Sequence, residues 1–202
     1  MNNLLANRTL DFEPENDFSG DILCNDLEYE EYVKLSNGGF YYNNSLHFFG
    51  SSLKNKSHDI GFMNDLLKMS YGEIVNGLFF FGEDVFGNMF AFKNDEVYSF
   101  NIESAKMELI AQNFKDFLVK LEEDLDYLTG ISFVKELTRD QVYQLAYGHR
   151  ITPKYPFVLG GDYSIENMIL KDYEENIEFN SSIAKQIYDL PDGTKIEIDF
   201  KS

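Results

Sequence analysis

The sequence predicts an α+β protein in which a β-meander is set among amphipathic helices. Residues 77–101 alternate short apolar runs with compact polar turns, the pattern of antiparallel strands joined by hairpins. Downstream, Phe114, Phe117, Leu118, Leu121 and Leu125 recur at helical spacing, which puts all five on one side of a helix. Hydrophobic residues make up 44% of the 202 residues and aromatics 16%. That is enough apolar surface to offset the chain entropy lost on folding, and one compact unit is expected.

Residues 1–20 mix Asn, Asp and Glu with isolated apolar residues and Pro14, and read as an arm. From Asp21 onward, Ile22, Leu23, Leu27, Tyr29, Tyr32, Val33 and Leu35 fall near a helical period, with Glu28, Glu30 and Glu31 opposite and Asn37-Gly38-Gly39 as a stop. Residues 40–49 read as extended segments around Asn43-Asn44. A second helix is expected over 59–71, with Ile60, Met63, Leu66, Leu67 and Met69 as its apolar set.

The meander reads as a strand over 78–81, a Gly82-Glu83-Asp84 turn, a strand over 88–93, an Asn94-Asp95 turn and a strand over 96–100. A two-residue loop at Asn94-Asp95 sets Lys93 opposite Glu96, Phe92 opposite Val97 and Ala91 opposite Tyr98. Both faces come out apolar. Such a sheet is covered on both sides or lines a partly exposed groove.

A short strand follows at 106–111, and Asn113 caps the Phe114 helix. Thr138 caps another helix that runs to Gly148. Pro153 and Pro156 impose an extended path, and Gly160-Gly161 a sharp turn. Residues 183–188 look helical, and 194–200 alternate as a one-sided strand should. The chain thus divides into an arm (1–20), a core (21–150) and an extension (151–202) that packs on the core and ends in a strand.

Lys and Arg number 17 against 35 Asp and Glu, a formal charge of -18. Nucleic acid and anionic membrane would be repelled, and cationic partners are favoured. The plainer reading of the same charge is solubility. The single cysteine, Cys24, suits a reducing compartment, and Asn25, Asp26 and Glu28 beside it would not stabilise a thiolate. No basic region followed by an apolar run opens the chain, and no run approaches the roughly 18 apolar residues of a membrane span. A cytoplasmic location is expected.

Chemistry is hard to assemble. His47, His58 and His149 stand apart, with neither a nucleophile motif nor metal-ligand spacing near them. Each reads as a surface or structural histidine. The glycines of 82–87 hint at a phosphate loop, but no Lys-Ser/Thr follows and Glu83-Asp84 would repel phosphate. Carboxylate pairs for an acid–base hydrolase exist only through abundance, and there is no Trp to stack a sugar. No catalytic residue, cofactor or metal is expected.

The order of motifs carries further information. An acidic helix ends at Asn37-Gly38-Gly39. Then come Phe80-Phe81-Gly82, Phe86-Gly87-Asn88-Met89-Phe90-Ala91-Phe92, Val97-Tyr98-Ser99-Phe100, and Ile110-Ala111-Gln112-Asn113-Phe114-Lys115-Asp116-Phe117-Leu118. Over roughly residues 20–130 this order resembles the SUKH superfamily, bacterial relatives of the yeast cell-wall-assembly regulator. The resemblance implies a mixed or mostly antiparallel β-sheet flanked by helices. In bacteria it implies an immunity protein that binds and neutralises a polymorphic toxin, often a nuclease. The eukaryotic branch implies a regulatory scaffold instead.

Resemblance and charge together point to a cationic toxin protein as partner, with no direct nucleic acid and no membrane involved. The candidate contacts are Glu83 and Asp84 at the meander turn and Glu122, Glu123, Asp124 and Asp126 beyond the long helix. Tyr41 and Tyr42 are candidate aromatic anchors, with half-buried strand positions as the plainer reading.

Overall fold

Local turn chemistry explains most of the main sheet. The computed structural model describes residues 1–12, 25–191 and 193–194. Within them, β1 (Arg8–Asp11), β2 (Gly39–Tyr41), β3 (Leu46–Phe48), β4 (Phe79–Asp84), β5 (Met89–Lys93), β6 (Glu96–Phe100) and β7 (Met107–Ala111) form a seven-stranded sheet whose spatial order is the chain order. Every neighbouring pair is antiparallel. Asn94 and Asp95 adopt φ of 52° and 67°, the left-handed pair that a twisted two-residue hairpin needs. The register follows as expected, with Lys93 opposite Glu96, Phe92 opposite Val97 and Ala91 opposite Tyr98.

Both sheet faces are covered. On one lie α2 (Leu27–Leu35) and α4 (Phe114–Glu123), whose Tyr29, Tyr32, Phe114 and Phe117 pack on Phe48, Phe81, Phe90 and Phe92. The carboxylate of Asp26 starts both helices. One oxygen accepts from the Tyr29 amide at 2.9 Å and the other from the Phe114 amide at 2.7 Å, so a single cap satisfies two otherwise orphaned N–H groups. On the other face lie α3 (Ile60–Tyr71) and α8 (Tyr173–Ile187), with Met63, Leu67, Tyr71 and Ile177 against Phe80, Met89 and Phe100. Met69, expected in the apolar set of α3, is instead 78% exposed, because it lies about half a turn round from Met63 and Leu67.

Three expectations are corrected. Gly82-Glu83-Asp84 is not a turn, since β4 continues through Asp84 with an irregularity between Phe80 and Gly82. Gly82 is there for close approach: a Cβ on it would lie 2.6 Å from the His47 carbonyl oxygen and from the Phe48 ring. The reversal falls at 85–88, where Gly87 takes φ of 86°. The opening residues carry α1 (Asn2–Ala6) and the edge strand β1 rather than unstructured arm. α8 begins ten residues before the helix expected at 183–188. The start of the helix expected from Asp21, Cys24, and residues 195–200 of the strand expected over 194–200 lie outside the described residues.

Beyond α4, the short helices α5 (Leu125–Thr129), α6 (Ile131–Glu136) and α7 (Arg139–Leu145) lead into the hairpin β8 (His149–Pro153) and β9 (Met168–Asp172). Thr138 caps α7 with a full capping box to Gln141. The hairpin joins the main sheet where the Ile151 amide donates to the Val85 carbonyl at 2.9 Å. Around that joint Val85, Phe86, Phe133, Val134, Leu145, Ile151 and Met168 form a third apolar cluster.

The glycine stop after α2 does more than end a helix. Gly38 has φ of +82°, and a Cβ on it would lie 2.6 Å from the Phe48 carbonyl oxygen and 2.8 Å from the Gly50 nitrogen. Gly38→Ala is expected to cost on the order of 3 kcal/mol, through left-handed strain plus overpacking against backbone that cannot swing away. Urea midpoints of the two proteins measure this, and a cost below about 1 kcal/mol would contradict the close approach.

Candidate partner-binding cleft

The reversal at 85–88, the Asn101–Lys106 connection, α5 and the segment around Phe157 and Tyr163 together enclose an open cleft of about 600 Å³. Phe86, Phe90, Met107, Leu128 and Phe157 supply most of its apolar lining, and Asp84, Glu108, Asp126, Tyr127, Tyr163 and Lys106 its polar groups.

Each wall has a local cause. Asp84 is buried at the end of β4, where one carboxylate oxygen accepts from the Phe86 and Asn88 amides at 2.8 Å each and the other from Asn88 Nδ2 at 2.9 Å. This Asx-type brace folds the reversal. Burial pushes the Asp84 carboxyl up to about 7 despite those three bonds, with the neighbouring Glu83 charge adding to the rise. Asn176 of α8 holds the same reversal from behind, donating to the Phe86 carbonyl at 3.0 Å and accepting from Thr152 at 2.7 Å.

The Tyr163 ring is set by aromatic packing, with centroids 4.7 Å from Phe133, 5.1 Å from Phe157 and 5.9 Å from Phe86. Its hydroxyl is pushed up to about 12 by burial and by the charges of Asp84 and Asp126. The negative potential of both carboxylates therefore reaches this ring. Tyr127 donates to Glu108 Oε2 at 2.8 Å, and Asp126 Oδ1 accepts from the Ser132 amide at 2.7 Å.

Of the residues singled out in the sequence, Asp84 and Asp126 meet in this cleft, although not at a meander turn. Glu122, Glu123 and Asp124 are exposed beside it, where α4 gives way to α5. The break changes the electrostatics of that acidic run. As the end of one long helix it would oppose the helix dipole, but Asp126 instead sits in the first turn of α5, where negative charge is favoured.

Tyr41 and Glu83 lie elsewhere and inside the protein, 0% and 1% exposed, and Tyr42 is buried as well. Tyr41 hydrogen-bonds Tyr32 through the two hydroxyls at 2.8 Å. Tyr42 sits at the β2–β3 reversal, and burial together with the Glu122 charge raises its hydroxyl pKa. None of the three reaches the surface.

Glu83 belongs to a buried polar cluster between the sheet and the hairpin. Its Oε1 is paired with Arg150, and His47 Nδ1 lies 2.8 Å from the same oxygen. His47 Nδ1 also lies 2.9 Å from Arg150 Nη2, so this nitrogen stands between a carboxylate that only accepts and a guanidinium that only donates, and its role follows from the tautomer. Arg150 also donates to the Leu145 carbonyl at 3.1 Å. Phe40 stacks on His47 at 4.1 Å and Phe12 on His58 at 4.5 Å, with the two imidazoles 5.1 Å apart.

Burial lowers His47 to about 4, with the Arg150 charge adding to the fall against Glu83, and lowers His58 to about 3. Glu83, against the cost of its burial, is held down to about 2 by Arg150 and His47. The histidines scattered along the sequence are thus two-thirds gathered, as a structural joint.

Sequence reasoning missed Tyr127, Tyr163 and Glu108. Tyr127 stands beside the acidic run and offered a signal. Tyr163, in a polar Gly160-Gly161-Asp162-Tyr163-Ser164 stretch, offered none.

Among the described residues no group of three or more His, Cys, Asp or Glu side chains is placed to hold a metal, and no helix is long and apolar enough to cross a membrane. A seven-stranded antiparallel meander, helix-covered on both faces and opening into a cleft at one corner, defines an α+β protein of a recognisable type. Residues 26–120, a little under half of the chain, match the SMI1 / KNR4 family (SUKH-1). That match supports an immunity or regulator-type role. The crystal structure of Atu4351 from Agrobacterium tumefaciens shares the fold at 16% identity, with a TM-score of 0.53 over 88% of this chain and 86% of that one. No curated protein matches.

Proposed function

We propose that this protein is a cytoplasmic immunity protein that binds and neutralises a cognate toxin, of the nuclease class, through an acidic surface and without catalysis. The observation that supports this best is the exposed run of Glu122, Glu123 and Asp124, continuous through Asp126 with the cleft, on a chain of net charge -18. Nuclease active sites are basic, and an acidic inhibitor gains association rate and selectivity from that contrast.

Co-expression with the toxin encoded beside this gene tests the reading. Cells are protected and a complex forms at low salt; unprotected cells with no complex would end it. Exchanging Glu122, Glu123 and Asp124 for Gln, Gln and Asn leaves the fold intact and slows association roughly tenfold at low ionic strength, with the difference shrinking as salt rises. An unchanged rate in stopped-flow mixing would remove this edge from the interface.

The family match favours one second reading, a regulatory scaffold of the cell-wall-regulator type. A gene neighbourhood free of toxin domains, with capture of a signalling protein, would favour it instead.

A further inference from the structure

We infer that the cleft beside Asp126 is a receptor for a single arginine side chain projected by a protein partner. The inference rests on the binding role proposed above and gives that role a chemistry.

Size, shape and charge agree on the occupant. At about 600 Å³ the cleft lies within the range of sites that enclose a small ligand. Its lining combines aromatic faces, Phe86, Tyr127 and Tyr163, with three carboxylates, Asp84, Glu108 and Asp126, against the one ammonium of Lys106. An anionic group would meet that excess of negative charge. A wholly apolar group would cover carboxylates without pairing them, at a desolvation cost.

A cation that also stacks on rings satisfies both halves of the lining. The guanidinium is planar, donates in a fork that carboxylates accept, stacks on aromatic faces and is less strongly hydrated than an ammonium. It is therefore preferred to lysine.

The acceptors are already placed. Asp84 is held by three hydrogen bonds from Phe86 and Asn88, which use three of its roughly four lone-pair sites. Asp126 accepts from the Ser132 amide, and Glu108 from the Tyr127 hydroxyl, at the exposed rim of the cleft. Tyr163 is clamped among Phe86, Phe133 and Phe157. Part of the ordering that binding needs is thus present before the ligand arrives, most of all at the buried Asp84, which favours affinity.

The test needs no toxin. N-acetyl-arginine amide is titrated into the isotope-labelled full chain up to about 50 mM, a range suited to a fragment-sized ligand, and amide shifts are followed by NMR. N-acetyl-citrulline amide, equally planar but neutral, and N-acetyl-lysine amide serve as controls.

The expected result is saturable shifts confined to the amides around Asn88, Tyr127 and Tyr163, weaker for lysine and absent for citrulline. Affinity falls about fivefold to tenfold in Asp126→Asn, which keeps the oxygen that accepts from Ser132, and similarly in Tyr163→Leu, where the ring is 64% exposed and its loss is tolerated. Shifts scattered over the acidic surface, equal shifts from either control, or no saturable binding overturn the proposal. Failure of toxin protection with a positive titration would sink the immunity reading and leave the arginine receptor standing.

Discussion

Replacing Arg150 by Met is expected to destabilise the protein by about 3–5 kcal/mol. The residue is only 2% exposed and is paired with Glu83, itself 1% exposed. Removing the guanidinium leaves a buried carboxylate with His47 as its remaining partner and abandons the Leu145 carbonyl that Arg150 serves. Truncating one partner of a buried ion pair costs far more than the pair itself contributes, because the stranded charge keeps its full desolvation penalty. At this chain length the loss corresponds to a fall of roughly 6–20 °C in melting temperature.

Glu83→Leu combined with Arg150→Met is expected to recover most of the loss, since no charge is then stranded. Urea unfolding of the two single variants and the double variant forms the cycle. A single-variant loss below about 1 kcal/mol would show that Glu83 is not held by Arg150.

Acid is expected to begin destabilising the protein above the ordinary carboxylate range. His47 and His58, lowered by burial to about 4 and about 3, stay neutral in the fold, while in the unfolded chain both take up protons near 6.5. Their contribution to stability is therefore complete above pH 6.5 and is lost as pH falls from there through 4 to 3. Glu83, lowered to about 2, acts in the same direction and loses its contribution between about 4.5 and 2.

Asp84 acts oppositely. Its raised carboxyl favours the protonated fold, so its contribution is full below its unfolded value near 3.9 and is lost as pH rises through about 7. The balance between pH 6.5 and 4 is an uptake of about one proton on unfolding, a net loss of about 3 kcal/mol. Stability measured by urea at half-unit steps should be nearly level around pH 7 and steepen below 5. His58→Phe should flatten the slope between pH 6 and 5 by about one proton. A profile level from 7 to 4 would refute the account.

Legibility from sequence followed distance along the chain. Where the determinant is local, the reading and the structure agree. Asn94-Asp95 specifies its hairpin and with it the register of β5 and β6. Asn113 and Thr138 cap the helices they precede. The misreadings arise where a distant partner changes what a residue can do. Glu83 has the composition of a turn, and only Arg150, 67 positions away, makes it a tolerable buried strand residue.

The first ten residues of α8 escaped detection because their inward positions include Asn176, Asn180 and Ser181, polar residues that hydropathy assigns to solvent. Asn176 faces inward to bind the Phe86 carbonyl and Thr152. β1 escaped because an edge strand with most of its side chains exposed carries no alternation to read. The cleft was half visible, through Asp84 and Asp126. Its aromatic half comes from tyrosines whose placement depends on the packing of Phe86, Phe133 and Phe157.

The Glu83–Arg150 pair also bears on how such chains can exchange parts. Arg150 lies outside the segment 26–120 that matches the family, whereas Glu83 lies inside it. A chimaera that joins residues 1–120 of this chain to the remainder of a relative inherits the carboxylate without its counter-ion, unless the donor brings a cation to the same place. Recombination between relatives at that boundary is therefore filtered by one electrostatic requirement, and the crossovers that survive are those that move both residues together or remove both.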